Sequence, residues 1–519
     1  MAPQTSLNPI IPGFAPDPSA IHVDGWFFVV NSSFHLFPGL PIYASKDLCS
    51  WKHIGNAIHR QSQLSLRKSR TNLSPASPET GGRILPATGG LYAPTIRHHV
   101  DTFYIVCTNA LRNEGDCRAK KENFILSTKD IWNGEWSDPV YFDFEGIDPG
   151  ITFDDGKVYI QGSATPGPAT RINNFEIDVK TGKKLSEERT IWTGTGGVYP
   201  EGPHVFKWNG WYYLIIAEGG THLSHSVTAA RSRSIWGPYQ AAPKNPILTA
   251  YGTNEYIQHT GHCDIFQDLE GHWWVVCLAV RKNDGRYPLS RETFLTPATY
   301  DGEWFQMERV RSDVINHSGA QLSGSTLQAA PGIDYLYIRD AHLDRYQFEE
   351  DSTAITLTPS FVDLSAPESS PTFVSRRQRV LEGKTTATVS HFDDTWGSAK
   401  LKFGLACYKD EHRFFRIYLD MADSSVVVEI VNTAQDIAKT TRQLLDSVPK
   451  EISFCIEYTE LEYRLLYATA SSSPSWLPLA TIDTLEITDP DFVGPIIGVF
   501  SVADTDGLKV KFSSWNDLQ

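Results

Sequence analysis

The chain has 519 residues and a mass of 58.0 kDa, too long for one ordinary core and suited to about three domains of roughly 150 residues, or to two large all-β ones. It is 41% hydrophobic and 21% charged, which excludes the low-hydrophobicity composition of disordered chains. A net charge of −15 argues against a nucleic-acid partner, because phosphates are met by Lys and Arg, and leaves a neutral partner as the easier one.

Aromatic residues are abundant, with 14 Trp, 21 Tyr and 26 Phe against 3 Met, a mixture that suits pleated strands and stacking surfaces better than helical bundles. The N-terminus, Met1 to Asn8, lacks the basic segment and apolar run of an export signal, and no stretch approaches 18 apolar residues. The expectation is a soluble chain with no membrane partner, either intracellular or already processed from a secreted form. The cysteines Cys49, Cys107, Cys117, Cys263, Cys277, Cys407 and Cys455 are widely spread, with no C-x-x-C pair and no zinc spacing, which favours buried thiols. Asn31, Asn72 and Asn316 open glycosylation triplets, but such triplets arise by chance and decide nothing about compartment.

In chain order, a strand-turn-strand phrase then recurs five times. Each copy has an apolar strand beginning beside Pro or Gly, a polar turn, and an aromatic strand. The copies begin at Asp17-Pro-Ser, Ala93-Pro-Thr, Asp148-Pro-Gly, Glu201-Gly-Pro and Gly261-His-Cys, and their second strands begin at Gly25-Trp-Phe, Thr102-Phe-Tyr, Lys157-Val-Tyr, Gly210-Trp-Tyr and Gly271-His-Trp. A third strand and a Trp follow most copies. Repeats of this size, each of three or four antiparallel strands, predict a five-bladed β-propeller over residues 1–335. The segment from His59 to Gly90, rich in Ser, Arg, Pro and Gly, interrupts the first repeat and is expected as a long surface excursion. Beyond about residue 335 the phrase stops. Alternating runs such as Phe414-Arg-Ile-Tyr-Leu and Val426-Val-Val-Glu-Ile-Val predict a β-sandwich over residues 336–519. Helical periodicity is almost absent, with Asp436 to Leu445 one of the few windows that suits a helix.

The first strand of each propeller blade lines the central axis, so residues in register at the strand starts converge. Asp17, Asp148 and Glu201 occupy three of these five positions, each beside Pro or Gly. Taken singly each is an ordinary turn residue. Together they gather three like charges at one axis, which raises at least one pKa and is tolerated mainly where function needs it. The chemistry that uses two carboxyl groups of separated pKa with a third modulating them is glycosidic bond hydrolysis. Carboxyl groups facing across an axis, roughly 6.5–9.5 Å apart, leave room for a water and predict inversion at the anomeric carbon.

The chain resembles glycoside hydrolase family 43, five-bladed propeller enzymes acting on arabinose- and xylose-containing polysaccharides, and in particular the subset with a C-terminal β-sandwich. The likeness rests on Asn8-Pro-Ile-Ile-Pro-Gly-Phe-Ala-Pro-Asp-Pro-Ser, Phe37-Pro-Gly-Leu-Pro-Ile-Tyr-Ala-Ser-Lys-Asp-Leu, Gly90-Leu-Tyr-Ala-Pro-Thr, Glu201-Gly-Pro-His, Ala217-Glu-Gly-Gly-Thr, Gly261-His and Arg291-Glu-Thr-Phe-Leu. The resemblance implies Asp17 as general base, Glu201 as general acid, and Asp148 as the residue that raises and orients the acid. It further implies that Arg291 binds sugar hydroxyls, that Phe34 walls the pocket, that Thr221 lies near the acid, and that His262 stands at the axis. No cofactor is required; in some members a structural calcium, or its waters, lies near the residue matching His262. Many relatives carry Trp where this chain has Tyr92, and some carry Asp where it has Thr95, so the second-blade edge of the pocket, with Tyr92 as a candidate contact, is expected to accept a different sugar or branch.

The leading expectation is an inverting exo-hydrolase releasing terminal α-L-arabinofuranose from arabinoxylan or its oligosaccharides. A β-xylosidase, or a dual-activity enzyme, acting on xylo-oligosaccharides stands almost level with it. A carbohydrate-binding propeller without catalysis is the alternative of another class, since fold does not imply function. Little Pro- or Ser-rich sequence separates the two domains, which predicts rigid packing of the sandwich on the propeller. Asp504-Thr-Asp-Gly reads as a hairpin turn rather than a metal loop.

Overall fold

The computed structural model describes residues 6–114, 119–164, 169–322, 324–349, 354–390, 396, 400–469 and 475–518. Short polar turns build its first half. Asp24-Gly25, Asp155-Gly156 and Asn209-Gly210 all have positive φ at both positions (50° and 76°, 46° and 75°, 47° and 73°), the two-residue geometry whose twist matches that of paired strands. Each joins an innermost strand to its neighbour: Ser19–Val23 to Trp26–Val30, Gly146–Asp154 to Lys157–Ala164, and Glu201–Trp208 to Trp211–Glu218. The other two blades begin with Gly90–His99 paired to Thr102–Leu111, and Ile257–Gln267 paired to Trp273–Arg281.

Third and fourth strands complete five antiparallel sheets. The five innermost strands neighbour one another in chain order, and the fifth returns to the first. This ring is the five-bladed propeller. The N-terminal segment closes it: the Asn8 side chain donates to the Leu295 and Arg311 carbonyls at 2.7 Å each, and Ile11 bridges Thr293 in blade five. Thr326–Ala329 adds a parallel strand to the rim of blade one. Aromatic and β-branched side chains fill the spaces between blades, as where Tyr213 and Ile215 meet Val275, Phe294 and Phe305.

The second half is a sandwich of a six-stranded and a five-stranded sheet with a small three-stranded sheet beside them. In the six-stranded sheet, strand Arg413–Asp420 is buried along its whole length, which requires both faces to be covered. Phe415 and Ile417 face the inner core with Phe454, Ile456 and Leu465. Phe414 and Tyr418 face the other way, in a cluster that includes Phe14, Phe34 and Leu36 of the propeller. One face of the sandwich therefore packs directly on the propeller. Tyr337–Ile338 pairs with Leu36–Phe37 of the propeller, so backbone hydrogen bonds also cross between the halves.

Two local expectations are corrected and a third is refined. Residues Ile437–Leu444 form the edge strand of the six-stranded sheet, not a helix. Asn432 caps a short turn over Thr433–Gln435, Asp436 takes a left-handed φ of 56°, and the chain reverses to pair Thr440 and Thr441 against Glu429 and Val428. Pairing outweighs the weak helical pattern. The Asp504 turn is not a hairpin, because Val510–Phe512 pairs with Ile355–Leu357 and not with the preceding Ile496–Val502. The 59–90 excursion leaves its blade but is no free surface loop. It carries a hairpin, Thr71–Ser74 with Leu85–Thr88, and the Thr71 and Leu66 N–H groups donate to Glu411 and Asp340 at 2.6 Å each.

Among the described residues the thiols are free: five are buried and Cys49 is half-buried, while Cys117 lies outside the described residues. Asn31 is fully buried and donates to the Ala15 and Pro16 carbonyls at 2.9 Å, so its triplet serves the fold around Asp17.

Candidate active site

At or near the start of each innermost strand lies a residue at positive φ: Asp17 (51°), Ala93 (36°), Asp148 (55°), Gly202 (57°) and His262 (41°), with Gly90 (107°) and His259 (56°) adding a second in blades two and five. In blades two to five the pairing register slips at this point, as it does at a β-bulge, which re-aims a side chain beside a functional site. The structurally equivalent positions are therefore those five. Glu201 is not among them; it precedes Gly202 by one residue and pairs with Ala217, as Ile147 pairs with Ser163 and Tyr92 with Thr108. The expected register of three carboxylates is corrected to two aspartates at the equivalent positions, Asp148 at a bulge and Asp17 ahead of a strand that pairs without a slip, and one glutamate a residue before the blade-four position. Gly202 is needed there because its φ is left-handed and because a Cβ would lie 2.9 Å from the His262 ring.

The inner-strand starts nonetheless bring Asp17, Asp148 and Glu201 to one cavity of about 70 Å³, with Phe34, Tyr92, Thr221, His262 and Arg291 also in its wall. Asp17 is buried. Its Oδ2 accepts from the Ser32 hydroxyl at 2.7 Å and its Oδ1 from Arg291 Nη1 at 3.2 Å, while His262 Nδ1 lies 3.9 Å from Oδ1. Asp148 is also buried, and its Oδ2 accepts from the Gly202 N–H at 3.2 Å, which ties it to the backbone beside Glu201. Glu201 is half-buried and is the most open of the three. It lines both this cavity and an outer chamber of about 260 Å³, whereas Asp17 and Asp148 line only the inner one.

The electrostatics separate the three groups. Burial alone would raise Asp17, but Arg291, His262 and the Ser32 hydroxyl together hold its carboxyl below the ordinary range. Burial raises Asp148 to about 6; the Asp17 charge adds to the rise, and His262 and the Gly202 N–H oppose it. Glu201 is pushed well above the usual range by desolvation and then by the charges of Asp148 and Asp17. At mildly acid pH the arrangement holds one ionised and one protonated carboxyl group across a small pocket.

The other anticipated residues are placed as follows. Arg291 Nη1 also donates to Thr221 Oγ1 at 3.1 Å, so Thr221 is fixed by the arginine. The Arg291 guanidinium lies 5.3 Å from the centre of the Phe34 ring, and Phe34 packs on Tyr92 with ring centres 4.8 Å apart. The Tyr92 hydroxyl donates to the Thr88 carbonyl at 2.5 Å and accepts from Arg112 at 3.0 Å, tying the pocket edge to the excursion hairpin.

Several wall residues had no signal in the repeat pattern. Ser32 orients Asp17 and accepts from the Ala93 N–H at 2.7 Å. His225 lines the cavity and is fixed through Nδ1 at 2.9 Å from the His259 carbonyl oxygen. Phe492 comes from the sandwich: its ring stacks near Phe34 at 5.9 Å, and its carbonyl accepts from Arg291 Nε and Nη2 at 3.2 and 2.7 Å. Ser32 and His225 sit within a few residues of quoted motifs, but nothing local could place Phe492.

Farther along the axis, Asp264 receives both Arg97 nitrogens at 2.7 and 3.1 Å and the Ser19 hydroxyl at 2.6 Å, with His204 Nδ1 accepting from Arg97 at 3.1 Å. This cluster fills the axis beneath the bulges. A calcium site near His262 requires oxygen ligands. The Asp264 carboxylate is committed to Arg97, and among the described residues no three His, Cys, Asp or Glu side chains group as metal ligands. No step below uses a metal.

Residues 6–305 match the family model described as glycosyl hydrolases family 43, and residues 328–515 match the β-xylosidase C-terminal concanavalin A-like domain. A non-reducing end α-L-arabinofuranosidase of Bacteroides ovatus is 32% identical, over 96% of this chain and 91% of its own length. A xylosidase/arabinosidase of Butyrivibrio fibrisolvens is 36% identical, over 57% of this chain and 55% of its own. Among solved structures, a family 43 protein of a Bacteroides ovatus xyloglucan locus superposes with a TM-score of 0.82 at 29% identity, covering 99% of both chains. A Bacillus licheniformis family 43 protein gives 0.82 at 26%, again over 99% of both. The chain belongs to glycosyl hydrolases family 43.

Proposed function

We propose that the protein is an inverting exo-hydrolase that releases terminal α-L-arabinofuranose from arabinoxylan or arabinoxylo-oligosaccharides, without a cofactor. The observation that carries this reading is the separation of three carboxyl groups by environment inside a small pocket with a filled floor. Asp17, held ionised, takes a proton from a water. That water attacks the anomeric carbon from the face opposite the leaving group. Glu201, held protonated, gives its proton to the glycosidic oxygen as the C–O bond breaks. Its place at the mouth between the inner cavity and the outer chamber suits this role, because the glycosidic oxygen joins the sugar in one to the leaving residue in the other. Burial keeps Glu201 protonated; Asp148, as it ionises, raises it further through its charge and positions it through the Gly202 N–H. Phe34, Tyr92 and Phe492 wall the sugar, and Arg291 and Thr221 meet its hydroxyls. The outer chamber, lined by Ser77, Thr80 and Leu85 of the excursion together with Tyr199, takes the leaving xylose residue.

Arabinose is placed first because the relative matching nearly the whole chain is named for it. Release of terminal β-linked D-xylose is the second reading, favoured by the xylosidase/arabinosidase relatives that match 57% and 58% of the chain. The test is proton NMR of a digest of arabinoxylan and xylo-oligosaccharides from its first minutes. Nascent β-arabinofuranose supports the first reading and nascent α-xylose the second. Retained configuration refutes inversion, and binding without any release at any pH would establish a carbohydrate-binding propeller.

A further inference from the structure

The guanidinium of Arg291 is shared between the two halves of the molecule. Nη1 donates to Asp17 in the propeller, while Nε and Nη2 donate to the Phe492 carbonyl in the sandwich. A planar, rigid fork cannot turn towards one partner without leaving the other, so the place of that carbonyl fixes how the arginine meets Asp17. Phe492 lies in a stretch without regular structure, between the short turn Thr484–Ile487 and strand Ile496–Val502. Such a stretch holds a carbonyl in place only if something else anchors it.

The anchor is the adjacent residue. Asp491 is 2% exposed, and its carboxylate accepts from Lys409, from Arg413 and from the Ser290 hydroxyl, the last at 2.9 Å. Ser290 immediately precedes Arg291 on the propeller. One carboxylate therefore grips both the loop that carries the carbonyl and the residue beside the arginine. Arg413 is held in turn by Asp410, and Asp489 by Asn432, Gln435 and Arg83 at 2.7, 2.9 and 3.1 Å. The cations Lys409, Arg413 and Arg83 are matched by Asp410, Asp489 and Asp491, as a buried ionic cluster must be to persist.

We infer that Asp491 is a positioning residue for hydrolysis: through Ser290 and the Phe492 carbonyl it sets the orientation of Arg291, and with it the pairing of Arg291 with the Asp17 carboxylate. The inference rests on the reading of Asp17 as the general base. The groups facing Asp17 from the elements around it are Arg291, His262, His225, Asp148, Glu201 and Cys107, and of these the network acts on Arg291 alone.

The test uses the full chain with Asp491→Asn, which removes the charge and keeps the shape, and Ser290→Ala, which removes one hydroxyl. The pH profile of kcat/KM is measured on nitrophenyl α-L-arabinofuranoside and β-D-xyloside, and the Ser290→Ala crystal structure is determined. The expected result is an acid limb displaced upwards by about half to one pH unit, with a loss of about 3- to 10-fold at pH 5 that shrinks towards neutrality, and an Arg291 no longer hydrogen-bonded to Asp17. A merely structural role would lower Tm and scale the whole profile without moving its acid limb, and that result overturns the inference. If Asp491→Asn does not fold, Ser290→Ala decides. Should the wild type cleave neither glycoside, the hydrolase reading fails by itself, and an Arg291–Asp17 contact unchanged in the Ser290→Ala structure would still overturn the positioning role.

Discussion

Replacing Arg291 with Met tests the electrostatic assignment most directly. Arg291 Nη1 stands 3.2 Å from Asp17 Oδ1, and a unit pair at that distance interacts by about 5 kcal/mol at an effective dielectric of about 20. Solvation of the cavity offsets part of this, and carboxylates beside arginine are lowered by roughly 1–3 pKa units in folded proteins. Without the arginine, burial is opposed only by His262 and the Ser32 hydroxyl, with a small contribution from His225, and the Asp17 carboxyl rises. Because the base must be ionised, activity is lost on the acid side. The loss grows about tenfold for each pH unit below the raised Asp17 pKa and vanishes above it, where the carboxyl is ionised with or without the arginine. Arg291 also lowers Glu201, so the basic limb moves upwards too. Arg291→Lys keeps the charge and moves both limbs less. Initial rates on nitrophenyl α-L-arabinofuranoside between pH 4 and 9 are the assay. A loss uniform across pH, with both limbs in place, would refute the assignment of Asp17 as an arginine-depressed base.

Glu201→Gln should lower kcat on arabinoxylo-oligosaccharides by about 10²- to 10⁴-fold and abolish the basic limb, with a smaller loss on nitrophenyl glycosides, whose leaving group needs little protonation; equal losses on both substrates would count against the acid role. Asp148→Asn should cost activity yet stabilise the fold. A buried carboxyl raised from 3.8 to about 6 makes the native state bind its proton more tightly, so stability falls as pH rises through that interval, by about 2–3 kcal/mol in all; calorimetry should find the variant's Tm several degrees higher at pH 7.5 and level with wild type near pH 4. Gly202→Ala sets a Cβ against the His262 ring and imposes a left-handed φ on alanine, which costs about 1–2 kcal/mol before the clash; kcat should fall without a matching rise in KM, and wild-type kinetics would show that the bulge tolerates a side chain.

Much of this was legible in the sequence because a propeller repeats its local chemistry. Asp-Gly or Asn-Gly turns recur in three blades, and a Pro or Gly at each inner strand and an aromatic second strand recur at every blade, so the blades could be counted and Asp17 and Asp148 placed at the axis. The offset of Glu201 was not legible. A bulge adds a residue to one strand without marking which one is extra, and Glu201-Gly-Pro looks like Asp148-Pro-Gly until the pairing of Glu201 with Ala217 is known. The edge strand Ile437–Leu444 misled for a related reason: its side chains are nearly all exposed, so no burial alternation was imposed on its sequence.

The contribution of the sandwich was hidden more deeply, and the reason bears on how the site works. Phe492 and Asp491 act through a carbonyl oxygen and a buried charge, neither of which leaves a periodic trace. Nothing in the text of a loop says that it reaches another domain. The physical need for such a loop can still be argued. A pocket formed where five strands converge is walled by whatever the blades present, and here blade two presents Ala93 at the position where blades one and three carry aspartates. An ionised base in so apolar a setting needs a fixed cation, and a fixed cation needs acceptors for its remaining donors. Arg291 has five donors; Asp17 and Thr221 take those of Nη1, and the Phe492 carbonyl takes Nε and Nη2. The second domain thereby supplies an acceptor that keeps the first domain's arginine aimed at Asp17, which gives a reason for the two halves to pack face to face.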